Sequence, residues 1–529
     1  MQRKYTYIVV GSGSSGCALA GRLAKRADGA VLLMEAGARP RGLWSRLPAG
    51  YAKLFRDPCY NWNFVSEPEA ALNGRVLHIP RGKALGGSSA INGLVHIRAT
   101  QYDLARWVAF GCSGWGYDEL LPYYIRSESN GRGASATRGI EGPLAVSDYE
   151  TNAICDRFLA SAEKCGIPRI EDFNVRSRSG AAYYQANIRA GRRCSAADAY
   201  LSVTERPENL DVLLEAHATK VIVSGGRAVG VEFLSKGRAE SVFADETIIC
   251  AGAIGSPHLL MLSGIGPADH LRQMGIDVVL DNPHVGAHLQ DHYQVKTVFE
   301  VTDDDTLNAR LGSPFGKLTA GIQWVVNRNG PLSIGGGYVG AFIRSSELTD
   351  EPDSQIHFMT YAADKTLTRL EPFSAVTMST CLLRPHSEGE VRLKTADPAG
   401  APAIKFNYLL HEADQKTIVA AMQAAYRIAG TGPLSEIIRR EVTNFGDLKD
   451  YQARLAYCRD LGGTIFHPSS TCRMGPEGQS VVNPELKVHG LDGLRVADAS
   501  IMPFVISGNT HATCVAIGEK CADLFAGAS

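Results

Sequence analysis

The first chemistry legible in this chain is anion binding near its start. Ile8-Val9-Val10 leads into Gly11-Ser12-Gly13-Ser14-Ser15-Gly16 and then into Cys17-Ala18-Leu19-Ala20-Gly21-Arg22-Leu23. That is an apolar strand, a Gly-x-Gly-x-x-Gly turn and the start of a helix. In this spacing Gly11 allows a tight turn and Gly13 lets the backbone approach a pyrophosphate. Gly16 lets helix and strand pack closely, leaving the phosphate charge at the helix N-terminus. A second strand, Val31-Leu32-Leu33-Met34, ends at Glu35, about 20 residues on, where the βαβ fingerprint sets an acid on a ribose hydroxyl. A carboxylate there repels a 2′-phosphate and disfavours NADP. NAD and FAD both remain open on this stretch alone.

A second stretch, Arg81-Gly82-Lys83-Ala84-Leu85-Gly86-Gly87-Ser88-Ser89-Ala90-Ile91-Asn92, offers paired glycines, paired hydroxyls and backbone N–H groups. Such a loop suits close contact with a flat polar cofactor. Proton transfer near neutrality calls for imidazole, with its ordinary pKa of about 6.5. The chain holds 14 histidines, so residue type alone singles out none of them. The 12 cysteines are scattered without C-x-x-C pairs and read as small buried hydrophobes in a reducing compartment.

These groups need elements to hold them. With 529 residues the chain should form two or three packed units. Lys and Arg number 54 against 55 Asp and Glu, a balance that draws the protein neither to nucleic acid nor to an anionic membrane. The most apolar region, residues 247–265, is broken by Gly252, Gly255, Pro257 and Gly264, so no membrane span is expected. The first strand begins near residue 5, which leaves no room for a signal peptide, and a cytoplasmic location is expected. Strand-like runs recur at Val212-Leu213-Leu214, Lys220-Val221-Ile222-Val223, Gly230-Val231-Glu232-Phe233 and Ile248-Ile249-Cys250. From about 297 the texture changes. Ile356-His357-Phe358-Met359-Thr360-Tyr361 and Ala375-Val376-Thr377-Met378-Ser379 read as antiparallel strands of another sheet. Leu494-Arg495-Val496-Ala497 then returns to the style of the first unit, and Ala512 to Phe525 forms a closing helix. The expected fold is therefore α/β, a Rossmann-type cofactor-binding domain split in sequence, with an inserted α+β substrate domain on an antiparallel sheet. Residues 1–155, 188–296 and 456–529 are assigned to the first domain, 156–187 and 297–455 to the second.

The loop from Arg81 to Asn92 resembles the first signature of the glucose–methanol–choline (GMC) flavoprotein oxidoreductases. Gly252-Ala253-Ile254-Gly255-Ser256-Pro257 through Gly264-Ile265-Gly266 resembles the second. Asn61-Trp62-Asn63-Phe64, Gly114-Trp115, Leu289-Gln290-Asp291-His292, Arg384-Pro385-His386-Ser387-Glu388-Gly389 and Val496-Ala497-Asp498-Ala499-Ser500 look like the family too, in order along nearly the whole chain. The resemblance selects FAD over NAD. It implies that Gly11, Gly13 and Gly16 meet the pyrophosphate and Glu35 the adenosine ribose. Gly86, Gly87, Ser88, Ser89, Asn92 and Val95 would line the flavin, and Val221 would meet the adenine edge. Asp498 and Ala499 would contact the diphosphate-ribityl region. Some family members attach the flavin through a histidine that would fall at Ile91, so non-covalent FAD is expected. Position 96, usually aromatic, is His96.

The resemblance also raises two histidines above the rest. His467, in Phe466-His467-Pro468-Ser469-Ser470-Thr471-Cys472-Arg473-Met474-Gly475, stands where the family carries its base, with Ser470 in place of a glycine. His511, in Ser507-Gly508-Asn509-Thr510-His511-Ala512-Thr513, stands where the family has histidine or asparagine, with Thr513 in place of a common proline. The implied activity is oxidation of an alcohol to an aldehyde or ketone. His467 would take the hydroxyl proton, hydride would pass to flavin N5, and His511 would hydrogen-bond the substrate oxygen. The closing helix would aim its N-terminus at the flavin N1 and C2 carbonyl. Cys472 and Cys514 are expected to be packing residues. The expected substrate is a small primary alcohol, with aromatic and heteroaromatic alcohols among the candidates, though Phe358, Tyr361 and Phe373 suit a core equally well. No acid stands out as a partner for choline. Oxygen or another acceptor would re-oxidise the flavin. A hydroxynitrile-lyase-like enzyme that holds FAD without redox turnover is the alternative, and an NAD-linked dehydrogenase a more distant one.

Overall fold

The computed structural model describes residues 4–26, 29–201, 207–346, 349–364, 369–443 and 450–525. The chain opens with β1 (Tyr5–Val10), α1 (Ser14–Lys25) and β2 (Val31–Met34). A long stretch dominated by loops and short helices leads to β3 (Gly180–Tyr183) and β4 (Leu210–Leu213). Then come β5 (Ala216–Ser224), β6 (Arg227–Ser235), β7 (Arg238–Ile249) and α2 (Gly252–Leu262). The next part holds β8 (Tyr293–Val301), β9 (Val339–Ile343), β10 (Ser354–Met359) and β11 (Ala375–Leu382). It ends with α3 (Glu412–Ala429) and β12 (Ile438–Glu441). β13 (Leu494–Val496) and α4 (His511–Asp523) close the chain.

The first sheet has the order β4-β2-β1-β7-β6-β5, with β13 on β7. Its core is parallel, and register aligns Leu213, Met34, Val10, Ile249 and Val496 in one row. β1 and β2 read as apolar runs because helices and loops cover both faces. Ladder bonds continue one residue past the row. Gly11 N–H donates to Met34 O (2.8 Å), Glu35 N–H to Leu213 O (2.9 Å), Cys250 N–H to Val10 O (2.7 Å) and Ala497 N–H to Ile249 O (2.9 Å). The sequence-predicted cofactor residues Gly11, Glu35 and Asp498 thus sit at the carboxyl ends of parallel strands, where open α/β sheets bind ligands.

The second sheet is antiparallel, in the order β12-β8-β11-β10-β9-β3. α3 covers one face, packing Ala425 and Ile428 into a core with Ile356, Phe358, Val376 and Met378. The opposite face does not meet bulk solvent; it walls a cavity. Along β8, Tyr293, Val295, Thr297 and Phe299 are buried while Gln294, Lys296 and Val298 alternate with them toward the cavity, the period of two that a strand imposes. Phe358 stacks on Phe158 in the core (centroids 4.6 Å apart), whereas Tyr361 lines the cavity and donates to or accepts from Tyr51 (O···O 2.5 Å). Among the described residues no helix is long and apolar enough to cross a membrane.

Candidate active site

The strand ends of the first sheet and the open face of the second enclose one cavity of about 1400 Å³. That exceeds the roughly 300–1,000 Å³ of an ordinary small-molecule pocket, so a large cofactor and a substrate can share it. Two helices begin at its wall. α1 starts after Gly13 and α4 after Thr510, and neither has a side-chain cap or an acid in its first turn. They run parallel, with Ser14 Oγ 2.7 Å from His511 Nδ1 and Ser15 Oγ donating to Cys514 O (2.7 Å). Unsatisfied N–H groups and two positive dipole ends therefore converge on one place, which fits a pyrophosphate and the electron-rich edge of a flavin. Close backbone approach makes the room. A Cβ at Gly16 would collide with the Gly11 carbonyl, and one at Gly87 (φ +52°) would stand 2.6 Å from Gly13 Cα.

Of the cofactor residues expected from the sequence, Gly11, Gly13, Glu35, Gly87, Ser88, Ser89, Asn92, Val95, Asp498 and Ala499 line this cavity. Gly16, Gly86 and Val221 do not. Gly16 acts through packing. Gly86 donates its N–H to Ser12 O (3.0 Å), tying the flavin loop to the first glycine turn. The placement of Val221 needs correction. It is fully buried, and its N–H donates to Ser263 Oγ (2.8 Å). The part of β5 that lines the cavity is its start, Ala216 to Ala218, held by the bond from Ala216 N–H to Glu35 O (2.9 Å). Beside it Trp62 packs on His217, with ring centroids 5.3 Å apart. Two acids are more committed than their assigned roles require. Glu35 accepts from Ser12 N–H (3.1 Å), Ser12 Oγ (2.7 Å) and Gly37 N–H (2.8 Å). Asp498 accepts from Gly252 N–H (2.8 Å), Ser256 Oγ (2.5 Å) and Ser500 N–H (2.8 Å). Burial raises the pKa of each, and these donors oppose the rise. Ile91 lines the cavity at the covalent-link position. His96 does not; it lies in a buried polar cluster, 3.3 Å from Glu128 and 3.2 Å from Asn187.

His467 and His511 both line the cavity. The His467 backbone N–H donates to Asp291 Oδ1 (2.7 Å), and the other oxygen of that carboxylate accepts from Tyr408 and Thr464. The ring lies between two partners, with Nδ1 2.9 Å from His292 Nδ1 and Nε2 3.2 Å from the amide nitrogen of Asn509. An amide nitrogen can only donate, so Nε2 is the acceptor and the ring proton sits on Nδ1, donated to His292. With the Asn509 amide nitrogen turned toward the ring, this tautomer leaves Nε2 basic on the Asn509 side, and Asn509 also lines the cavity. Burial, reinforced by His292, His357 and Arg81, holds the His467 pKa well below the ordinary value, so the ring is neutral. Burial likewise pushes His511 down to about 3, with His96 and Arg193 adding to it. His511 Nδ1 is occupied by Ser14, while its buried Nε2 has no hydrogen-bond partner among the described residues. Sequence reasoning had noted the segment Leu289 to His292 but assigned it no role. Ser14, Trp62 and Asn509 lie inside segments that the sequence singles out, but their contacts with His511, His217 and His467 are set only by the fold.

Two segments, 5–294 and 385–518, match the family models described as GMC oxidoreductase. An oxygen-dependent choline dehydrogenase of Rhizobium johnstonii is 37% identical over 529 residues, covering 98% of this chain and 95% of that protein. The crystal structure of pyridoxine 4-oxidase from Mesorbium loti superposes with a TM-score of 0.90 at 28% identity, covering 99% of each chain. A formate oxidase of Aspergillus oryzae superposes with a TM-score of 0.92 at 27% identity, covering 100% of this chain and 99% of that one. The chain belongs to the GMC oxidoreductases, an oxidoreductase of alcohols that works with FAD.

Proposed function

We propose that this enzyme oxidises a small primary alcohol, aromatic or heteroaromatic alcohols included, to the aldehyde, with His467 as the general base. The observation that carries the reading is the chain His292–His467–Asn509, which leaves a neutral imidazole with its basic Nε2 toward the cavity. A substrate hydroxyl replaces the Asn509 amide at Nε2 and gives up its proton there. The Nδ1 proton stays on its bond to His292, which steadies the imidazolium as it forms. Asn509 and the free Nε2 of His511 are placed to hydrogen-bond the oxygen as it gains negative charge. Bound FAD supplies the hydride acceptor. The glycine turn, the Gly87–Asn92 loop and Glu35 would hold the cofactor, with Asp498 and Ala499 at its middle. No histidine stands at position 91, so it is held without a covalent bond.

We assign residues 1–155, 188–296 and 456–529 to the cofactor domain and 156–187 and 297–455 to the substrate domain, with one boundary inside β8. The 12 cysteines, none paired with another, support a reducing compartment such as the cytoplasm. Oxygen or another acceptor completes the cycle. The test is anaerobic mixing of the yellow protein with a panel of alcohols, followed by air. Bleaching by a primary alcohol and recovery of colour support the reading. Cleavage of a cyanohydrin with no bleaching by any alcohol would establish the lyase instead.

A further inference from the structure

The floor of the cavity carries a cation that the proposed reaction does not use. Lys296 lies on the open face of β8 and is half-buried. It lines the cavity; its carbonyl accepts from Tyr457, while its ammonium has no hydrogen-bond or ion-pair partner among the described residues. Its neighbours across the sheet are Ser379 on β11, its register partner, and His357 on β10, the register partner of Ser379. Both also line the cavity. Ser379 is spent on Gln294, and Gln294 donates to Thr464 O (2.8 Å). The buried His357 Nε2 has no hydrogen-bond partner among the described residues. The row across this floor is thus an ammonium, a hydroxyl and an imidazole, with no carboxylate in it. Three acids line the cavity, Glu35, Asp498 and Glu371. The first two are committed at the cofactor end. Glu371 comes from the segment after β10, where the cations Arg369 and, from another segment, Lys317 line the cavity as well.

An ammonium held at a cavity wall without a counter-ion loses hydration and recovers nothing until an anion arrives. We propose that Lys296 selects the substrate, and that the alcohols this enzyme prefers carry a carboxylate at the end remote from the hydroxyl. The inference rests on the reading of this cavity as an alcohol site. Position argues for the remote end. Lys296 lies four residues along an extended chain from His292, the partner of the base, a separation of about 13 Å between backbone positions at about 3.3 Å per residue. A (hydroxymethyl)arene carboxylate or an ω-hydroxy acid spans the distance, while a quaternary ammonium alcohol would meet the lysine with like charge.

The experiment separates binding from turnover. The FAD-loaded protein is titrated with inert analogues that lack the hydroxyl (4-methylbenzoate, 4-methylanisole and 4-methylphenyl-trimethylammonium), following the visible spectrum of the bound flavin. The carboxylate should bind about 10- to 100-fold more tightly than the neutral analogue, the worth of a charge-assisted hydrogen bond at about 1.4 kcal/mol per decade. The cation should bind most weakly. Lys296→Met should erase the preference for the carboxylate while leaving affinity for the neutral analogue unchanged, and Lys296→Arg should retain part of it. Equal binding of all three analogues by the unsubstituted enzyme overturns the proposal, as does a Lys296→Met variant with an undiminished preference. Flavin reduction by 4-(hydroxymethyl)benzoate against benzyl alcohol is the second arm. If the carboxylate preference appears in binding but no alcohol reduces the flavin, the alcohol-oxidation reading fails and the anion site stands.

Discussion

His292 offers a direct test of how the base is prepared, because it touches the base and lies outside the cavity lining. Replacing it by leucine fills a fully buried position with an apolar side chain and removes the acceptor of the His467 Nδ1 proton. That proton is then left unpaired in a buried place, at a cost of about 1–3 kcal/mol. The ring escapes the cost by moving its proton to Nε2 or by turning, and either change withdraws the basic lone pair from the substrate. Loss of the competent form by 1–3 kcal/mol lowers its population, and so the rate of flavin reduction by alcohol, by about 5- to 150-fold. FAD retention should stay unchanged. Rapid-mixing anaerobic reduction of His292→Leu measures the rate, and the spectrum of the bound flavin checks the cofactor. The decisive control is the same substitution in a His467→Ala background. There His292 has no base to position, so the second change should have little further effect, the non-additivity expected of residues acting through one group. An equal fractional loss in both backgrounds would refute the positioning role, and no loss in the native background would refute the tautomer assignment.

The remaining expectations concern the cofactor and the two cavity histidines. Acid precipitation should release FAD into the supernatant, because Ile91 cannot form a histidyl link; flavin left on the pellet would contradict this. Glu35→Ala should weaken FAD by about 1.5–3 kcal/mol, the worth of a hydrogen bond to a charged group, measured by reconstitution of apoprotein. It should also lower thermal stability, since Ser12 and Gly37 lose their acceptor. His467→Ala should slow flavin reduction by about 10²–10⁴-fold and spare re-oxidation, whereas His511→Asn should be milder; the reverse ranking would move the base to His511. His511→Asn also changes the response to acid. Below about pH 6.5 the unfolded chain protonates this histidine, whereas the native protein holds it neutral down to about pH 3. Native stability from this residue therefore falls on acidification, by up to about 1.4 kcal/mol per pH unit. The variant lacks that loss, so the wild-type Tm should drop relative to it between pH 7 and pH 5, and a constant gap would count against burial of His511.

What the sequence disclosed was local. Gly11, Gly13 and Glu35 could be placed because a turn and a strand end bring chain neighbours together in space, and the parallel register then carries them to one edge. Val221 was misplaced for the opposite reason. The strand was visible, but which of its ends meets the cavity depends on how β5 is tied to the turn after β2. The alternation along β8 is plain in Tyr293-Gln294-Val295-Lys296-Thr297-Val298, yet a polar face looks the same in sequence whether it meets water or a cavity. β10 and β11 alternate as well, His357 with Ile356 and Phe358 and Thr377 and Ser379 with Val376 and Met378, but both faces are buried, so the polar side gives no sign of being a cavity floor. His292 was legible as part of a family segment and not as the partner of His467, since 175 positions separate them.

The pairing of α1 with α4 explains why the two ends of the chain must meet. Two parallel helices set their dipoles side by side, an arrangement that repels at both ends. At the ends remote from the cavity the repulsion is answered by side chains. Arg22 and Arg126 bind the fully buried Glu519, and Arg126 and Arg26 bind Asp523. At the cavity ends neither helix carries an acid in its own first turn. In the proposed reading the positive charge of both helix starts is left to the cofactor, whose pyrophosphate would face the first helix and whose flavin would face the last. His511 is the first residue of α4, so the helix whose start lies at the cavity wall also brings this histidine to it. The two ends of the chain must therefore pack together before this wall of the cavity, with both helix starts and His511, is complete.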